Sequence, residues 1–150
     1  VGDFNNVARS LCEASAMLGM HIRLGCPEGY DAKDNELLGF TELGAASVEQ
    51  YRDVSIAVTG AHAVHTDTWT SMGQESEREA RVRTFSPYTV TMTLMQAAAP
   101  GAGFYHCAPV YRELEVSTEV MDSDLSHVVR QGHNRLHASR GLLAFLSGVR

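Results

Sequence analysis

Short extended segments alternate with helical segments along this chain of 150 residues, and the alternation constrains the fold more than any other feature. Each extended segment is alternating or β-branched and ends at glycine or at a polar loop. Strands that alternate with helices at this density favour a parallel, doubly wound α/β sheet flanked by helices. The predicted strands are His21–Gly25, 46–50, Ala63–Thr66 and Gly103–His106, with a further short strand at 128–129.

Segment 54–58 is the hardest to assign, because its β-branched residues favour a strand by propensity alone. However, Asp53 can cap a helix at its start, and Gly60 can end one. A parallel crossover between neighbouring strands also requires an intervening element. We therefore predict a short helix at this position.

The other helices are predicted where apolar residues recur at helical spacing between capping residues and glycines. The charged helix at 75–83 is interpreted as a solvated face with i,i+4 pairing. Further helices are predicted at 34–43, 91–98 and 134–149. The first helix follows the capping residues Asn5 and Asn6, and its apolar positions are Val7, Leu11, Ala14 and Leu18.

The composition argues against several classes of function. With 44% hydrophobic and 20% charged residues, the chain has the balance of a soluble globular domain. A net charge of -6 with scattered Arg and Lys offers no basic surface, so no nucleic-acid partner is expected. No apolar run is long enough to cross a bilayer, so no membrane partner is expected either. The cysteines Cys12, Cys26 and Cys107 form no C-x-x-C pair, which indicates a reducing compartment.

Polar residues follow several of the predicted strands directly, where ligands of open α/β sheets bind. Asn5 and Asn6 open the first helix after what reads as the end of a strand, and Asp67 and Cys107 each follow a strand. Topology alone therefore gathers them on one edge. Taken singly, each has a simpler explanation, because the asparagines could only cap the helix, Asp67 could cap its loop, and Cys107 could be a buried, inert thiol. His106 alone is more often a packed strand residue than a base.

Neither a metal nor a cofactor is predicted from the sequence. Two histidine pairs, His62 with His65 and His133 with His137, have spacings seen in metal sites. Neither pair has the additional Cys, His or acidic residue that a closed coordination shell needs. The opening G-D-F-N-N is not G-x-G-x-x-G, so a dinucleotide site is poorly supported.

Three motifs in one order are much more specific than any one of them. The stretch from Thr66 to Glu75 reads T-D-T-W-T-S-M-G-Q-E, His106 opens H-C-A-P, and His133 opens H-N-R-L-H. In this order they resemble ornithine carbamoyltransferases. The resemblance extends over essentially the whole chain, residues 1–150, and is to the C-terminal, ornithine-binding domain. It implies a Rossmann-like fold, that of the second domain of a transcarbamylase.

The resemblance also implies a role for each matching residue. The D-x-x-x-S-M-G loop and the second asparagine hold the α-amino and α-carboxylate ends of ornithine. The cysteine, with the aspartate, orients and helps to deprotonate the δ-amine, with no covalent acyl-cysteine, and the arginine of N-R contacts carbamoyl phosphate. The catalytic residues implied are Cys107, Asp67 and Arg135, and the substrate-binding residues are Asn6, Asp67, Ser71, Met72, His106, Cys107, Ala108 and Arg135.

By the same resemblance, the expected reaction transfers a carbamoyl group from carbamoyl phosphate to the δ-amine of ornithine, giving citrulline and phosphate. The chain contains neither S-T-R-T nor H-P-x-Q, the family's carbamoyl phosphate motifs, and it begins without Met. We therefore expect a fragment whose N-terminal carbamoyl-phosphate domain is absent. The family forms trimers, so a homotrimer is expected for the full-length protein. A cytoplasmic enzyme is expected, although a mitochondrial one would share this domain, and arginine biosynthesis and citrulline breakdown would use the same residues.

Two departures from the family pattern keep other functions open. Ala108 replaces the usual leucine, and Gln131, Gly132 and His133 replace an acid-rich stretch, so a charge partner of Arg135 is missing or exchanged. One alternative is a transcarbamylase for another amine, such as putrescine or acetylated ornithine. The other is a non-catalytic amino-acid-binding or assembly domain.

Overall fold

The structure of the chain, a computed structural model, describes residues 1–70, 73 and 75–149. Strands and helices alternate along it as the sequence pattern predicts. The strands are β1 (His21–Gly25), β2 (Ser47–Tyr51), β3 (Ala63–Thr66) and β4 (Gly103–His106). The helices are α1 (Asn6–Met17), α2 (Asp34–Glu42), α3 (Val54–Val58), α4 (Arg78–Phe85), α5 (Met92–Ala97), α6 (Thr118–Met121) and α7 (Val128–Leu146). Short 3-10 helices, Glu75–Glu77 and Ser86–Tyr88, lie on either side of α4.

The strands form two parallel pairs that are joined by the first residues of the chain. β1 pairs with β2 and β3 pairs with β4, each pair parallel. The Gly2 amide donates to the Gly25 carbonyl at 2.8 Å, and the Val1 nitrogen donates to the His65 carbonyl at 2.8 Å. Val1 and Gly2 therefore lie between β1 and β3, and the residues that follow them enter the same region as the loops after β1 and β3.

Helices cover both faces of this arrangement, which confirms the doubly wound α/β fold. In β1, Ile22 and Leu24 are buried in one core together with residues of α1 and α2. Side chains alternate along a strand, so Gly25 faces the opposite side. There a β-carbon on Gly25 would lie 3.1 Å from Cβ of Ala57 in α3, so glycine allows this helix to approach closely. A second core joins α3, α5 and α6 to β3 and β4.

Helix α3 confirms the prediction for segment 54–58 over its β-branched propensity. The Asp53 carboxylate accepts a hydrogen bond from the Ser55 amide at 2.8 Å and so caps the helix. Ala57 and Val58 are buried, so the segment contributes to the core while it provides the crossover from β2 to β3.

The chain beyond β4 differs from the prediction of a strand at 128–129. The Phe104 amide donates to the Leu125 carbonyl at 2.7 Å, and the His127 amide donates to the Phe104 carbonyl at 2.8 Å. This pairing stops at His127, and Val128 opens α7, so the predicted strand is wrong. Val128 is buried in the core from the first turn of the helix, and this packing outweighs its β propensity.

Helix α1 is present as predicted, but its buried face differs from the apolar positions of the sequence. Cys12 and Ala16 are buried, whereas Leu11 is 43% exposed and Leu18 is 72% exposed. Small side chains on the inner face allow the helix axis to lie close to β1, and the larger apolar side chains remain outside.

Most of α7 is exposed, including apolar side chains such as Phe145, which is 81% exposed. Among the described residues, no helix combines the length and the apolar character that a membrane span requires.

Candidate active site

The ends of β3 and β4 bring Asp67 and Cys107 together. Thr66 lies opposite His106 in the parallel register, so the residues that follow each strand are neighbours. The Cys107 thiol donates a hydrogen bond to Asp67 Oδ1 at 3.0 Å, and the Thr68 amide donates to the same oxygen at 2.7 Å. Asp67 is half-buried and Cys107 is exposed, so Cys107 is not the buried thiol that was the simpler explanation of this residue taken singly.

Asn5 connects this pair to the start of α1. Its Oδ1 accepts hydrogen bonds from the Val7 and Ala8 amides, both at 3.0 Å, so the prediction of capping is confirmed for Asn5. Its Nδ2 donates to Asp67 Oδ2 at 2.8 Å. The first asparagine is therefore both a helix cap and a partner of the carboxylate. Asn6 is exposed at the first position of α1, and its predicted contact with ornithine stays a prediction.

These contacts determine the charges of the pair near neutral pH. Burial raises the pKa of Asp67, but hydrogen bonds from Cys107, Asn5 and the Thr68 amide outweigh it, and the pKa is lowered overall. Burial, together with the hydrogen bond to the Asp67 carboxylate and its negative charge, raises the pKa of Cys107 to about 12. The pair is thus a carboxylate and a neutral thiol. It attracts cations, and it does not contain a thiolate nucleophile.

His106 lies beneath the loop and determines its shape. The side chain is buried, its Nδ1 accepts a hydrogen bond from the Ala108 amide at 2.9 Å, and its Nε2 lies 3.2 Å from Oε1 of the buried Glu115. Since Nδ1 is an acceptor, the ring proton is on Nε2, facing Glu115. Ala108 is exposed with φ of 57°, and the bond to His106 holds it in this left-handed conformation. His106 therefore supports the loop from its buried side.

Two residues of this network, Glu115 and Gln131, are not among the predicted site residues. Glu115 Oε1 also accepts from the Tyr111 amide at 2.7 Å, and Gln131 Oε1 accepts from the His106 amide at 3.0 Å. Nothing in the local sequence distinguishes Glu115 from the exposed Glu113 nearby. Gln131 stood out only as part of a stretch that departs from the family pattern.

One group of metal-ligating atoms occurs at this place in the described part of the chain. The atoms come from Asp67, His106 and Cys107 and lie within 4.8 Å of one another. Both His106 nitrogens already face partners, the Ala108 amide and Glu115, so a metal ion would have to displace one of them.

The remaining predicted residues are not part of this cluster in the described structure. Arg135 is exposed on α7, one turn beyond Gln131, so the two residues lie on the same face of the helix. Gln131 contacts the His106 amide at the start of this face. Arg135 forms no ion pair with residues 1–70, 73 or 75–149. Ser71 and Met72 lie outside the described residues.

Comparison with known proteins gives one consistent family. The family model described as "Aspartate/ornithine carbamoyltransferase, Asp/Orn binding domain" matches residues 1–146. The chain is 41% identical over 151 residues to the ornithine carbamoyltransferase of Synechococcus elongatus, covering 99% of the chain and 50% of that protein. It is 45% identical over 150 residues to that of Symbiobacterium thermophilum, covering 97% of the chain and 48% of that protein.

Solved structures agree with this assignment. Ornithine carbamoyltransferase from Pyrococcus furiosus has a TM-score of 0.86 at 41% identity, over 95% of this chain and 47% of that one. The anabolic ornithine carbamoyltransferase from Campylobacter jejuni has a TM-score of 0.89 at 30% identity, over 99% of this chain and 50% of that one. The chain spans about half the length of the relatives that it matches. It belongs to the aspartate/ornithine carbamoyltransferase family, through the family's Asp/Orn binding domain.

Proposed function

We propose that residues 1–150 form the ornithine-binding domain of an ornithine carbamoyltransferase, which transfers a carbamoyl group from carbamoyl phosphate to the δ-amine of ornithine. The observation that carries this proposal is the Asp67 carboxylate, held between Asn5 and the Cys107 thiol. It lies at the start of the T-D-T-W-T-S-M-G-Q-E loop that resembles the ornithine loop of the family. The names of the relatives at 41% and 45% identity support the same substrate.

The charges of the pair suit an amino acid that carries two amines. Asp67 remains ionised and offers the negative charge that an ammonium group needs, with Ser71, Met72 and Asn6 proposed to complete the grip on the amino-acid end. The δ-amine must be neutral to attack the carbamoyl carbon, and deprotonating a lysine-like amine of pKa about 10.4 costs roughly 4–5 kcal/mol at neutral pH. The amine therefore has to be selected and oriented in its neutral form.

Cys107 is proposed to orient that neutral amine. A thiol whose pKa is about 12 is not a base in the resting site, but its sulfur accepts an N–H while its S–H points to Asp67. When the C–N bond forms and the C–O bond to the leaving phosphate breaks, the nitrogen becomes acidic, and its proton can pass to sulfur as the thiol proton passes to Asp67. The step moves protons only, and it forms no bond between cysteine and the carbamoyl group.

The carbamoyl phosphate side of the reaction is proposed to come from a further domain. The 150 residues contain neither of the family's carbamoyl phosphate motifs, and the relatives are about twice as long. Arg135 on the exposed face of α7 is proposed to contact the phosphate when that domain is present. Apolar side chains farther along α7, Leu136, Leu143 and Phe145 among them, are exposed and offer a surface for it.

The remaining assignments follow the relatives. A Pseudomonas aeruginosa relative, 42% identical, is named an anabolic ornithine carbamoyltransferase. We propose that this protein acts in arginine biosynthesis, which that name supports, and, by the family resemblance of its motifs, that the full-length protein is a cytoplasmic homotrimer.

A panel of amines tests the substrate. The chain joined to a carbamoyl-phosphate domain is titrated in a calorimeter with ornithine, putrescine and acetylated ornithine, in the presence of carbamoyl phosphate. Of the three amines, we expect only ornithine to produce heat, and we expect that heat to be lost in Asp67→Asn. Binding of putrescine or acetylated ornithine in preference would make the protein a transcarbamylase for another amine, and silence with all three in a folded protein would favour an assembly domain.

A further inference from the structure

Arg81 of α4 is the buried cation of the described structure. Its side chain is only 4% exposed, although the sequence places it in a charged run that is typical of a solvated helix face. The predicted i,i+4 pairing is present, with Arg81 3.9 Å from the exposed Glu77, but the interpretation as a solvated face is wrong for Arg81. A buried guanidinium is costly unless its donors and charge are matched, so the partners of Arg81 show what it holds.

Three of those partners come from different loops near the candidate site. The guanidinium forms an ion pair with Asp3, and its Nε donates to the Trp69 carbonyl. It also lies over the rings of Tyr30, at 4.9 Å, and Phe85, at 5.1 Å. Asp3 belongs to the segment before α1, Tyr30 to the loop after β1, and Trp69 to the loop after β3.

Two of these partners directly flank residues of the site. Asp3 lies two residues before Asn5, and Trp69 lies two residues after Asp67. The guanidinium thus spans the same two segments that the hydrogen bond from Asn5 to Asp67 joins at 2.8 Å. The connection through Asn5 is one hydrogen bond from a neutral amide. The connection through Arg81 is a buried, charged guanidinium with donors to both segments.

We propose that Arg81 is a positioning residue for ornithine, holding the Asp67–Trp69 segment in register with the Asp3–Asn5 segment. The inference rests on the proposed ornithine site. The Trp69 ring stacks on Phe85 at 5.8 Å, so α4 fixes this segment through both a backbone hydrogen bond and a ring contact. Without these contacts, Asp67 keeps Cys107 and the hydrogen bond from Asn5, but the Trp69 end of its segment loses its connection to Asp3. Ornithine would then meet the right groups at the wrong separation.

Conservative substitutions separate this role from general stability. Arg81→Lys keeps the charge but cannot serve Asp3 and the Trp69 carbonyl with one planar fork. Asp3→Asn keeps the shape of the partner and removes its charge. Arg83→Gln is the matched control, because Arg83 is exposed on the same helix.

The measurements use the chain joined to its carbamoyl-phosphate domain. Steady-state kinetics give KM for each substrate and kcat. Trp69 is the sole tryptophan of this chain, so fluorotryptophan labelling provides a ¹⁹F resonance for its segment, assigned with Trp69→Phe. We expect Arg81→Lys and Asp3→Asn each to raise KM for ornithine by about 10-fold or more, with KM for carbamoyl phosphate changed by less than about twofold. Both should shift the Trp69 resonance, and Arg83→Gln should change neither quantity.

Three outcomes are distinguishable. If the wild-type protein does not turn over ornithine, the proposed function fails. If it does, and folded Arg81→Lys or Asp3→Asn has KM for ornithine within about twofold of wild type, Arg81 has no positioning role. If Arg81→Lys does not fold, Asp3→Asn decides the question alone, because it leaves the guanidinium and its ring contacts in place.

Discussion

The Cys107 thiol donates its hydrogen bond to Asp67 Oδ1 over 3.0 Å, although the two residues lie 40 positions apart in the chain. The contact follows from the parallel register of β3 and β4, which ends both strands at the same height. It assigns negative charge to the aspartate and leaves the cysteine neutral. The proposed chemistry depends on that division.

Removing the aspartate charge should make the thiol more reactive. The carboxylate is one of the causes that raise the pKa of Cys107 to about 12, and burial is the other. In Asp67→Asn the charge is gone and the pKa should fall, so alkylation of Cys107 by iodoacetamide at pH 8 should accelerate by about 10-fold for each unit of decrease. Peptide mapping measures the rate, with the buried Cys12 as internal control. An unchanged rate would show that Asp67 does not control the thiol.

The two asparagines should separate by their effects on stability. Asn5→Ala removes the cap of α1 and the donor to Asp67, so the free energy of unfolding should fall by about 1–2 kcal/mol. Asn6→Ala removes an exposed side chain and should change it by less than about 0.5 kcal/mol, while weakening ornithine binding if the proposed contact exists. Urea unfolding and calorimetry give both quantities. Full ornithine affinity in Asn6→Ala would remove Asn6 from the site.

Glu115 should matter for stability more than an exposed glutamate does. Glu115→Ala leaves the Tyr111 amide without its acceptor and removes the carboxylate that lies 3.2 Å from His106 Nε2, which should cost about 2–3 kcal/mol in unfolding free energy. Glu119→Ala in α6 is exposed and should cost less than about 0.5 kcal/mol. Denaturant unfolding of both variants is the measurement. Equal losses would mean that the buried pair does not support the loop.

Acid should destabilise the chain through His65. Burial is the main cause that lowers the pKa of His65 to about 4, against about 6.5 when unfolded. Between these values the unfolded chain binds the extra proton, so this contribution is complete above pH 6.5 and is lost as the pH falls towards 4. The loss of unfolding free energy between pH 7 and pH 5 should therefore be about 2 kcal/mol larger in wild type than in His65→Gln. Urea unfolding at the two pH values measures this loss. An equal loss in both proteins would show that His65 is not the group responsible.

The sequence predicts most of the backbone because the signals involved are local. Three strands have the predicted bounds, and α3 follows from its cap at Asp53 and from the crossover that a parallel pair requires. The errors arise where packing between elements decides. Val128 and Val129 have strand propensity, but Val128 is needed in the core at the start of a helix.

The residues of the site also divide into those that local sequence signals predict and those that they do not. Asp67 and Cys107 are predictable because each follows a strand and topology brings strand ends together. Glu115 and Arg81 are not, because each is one acidic or basic residue among several in its segment, and only contacts distant in sequence bury it. Charge runs show which residues could be exposed, but they do not show which member of the run turns inward.

Citrulline formation from ornithine and carbamoyl phosphate tests the central claim most directly. The chain is assayed alone and joined to a complete carbamoyl-phosphate domain, with Cys107→Ala in the joined form as the control. We predict turnover only in the joined protein and at least about a 10-fold lower kcat/KM for ornithine in Cys107→Ala. No turnover in a joined protein that is demonstrably folded and trimeric would contradict the assignment of an ornithine half-site.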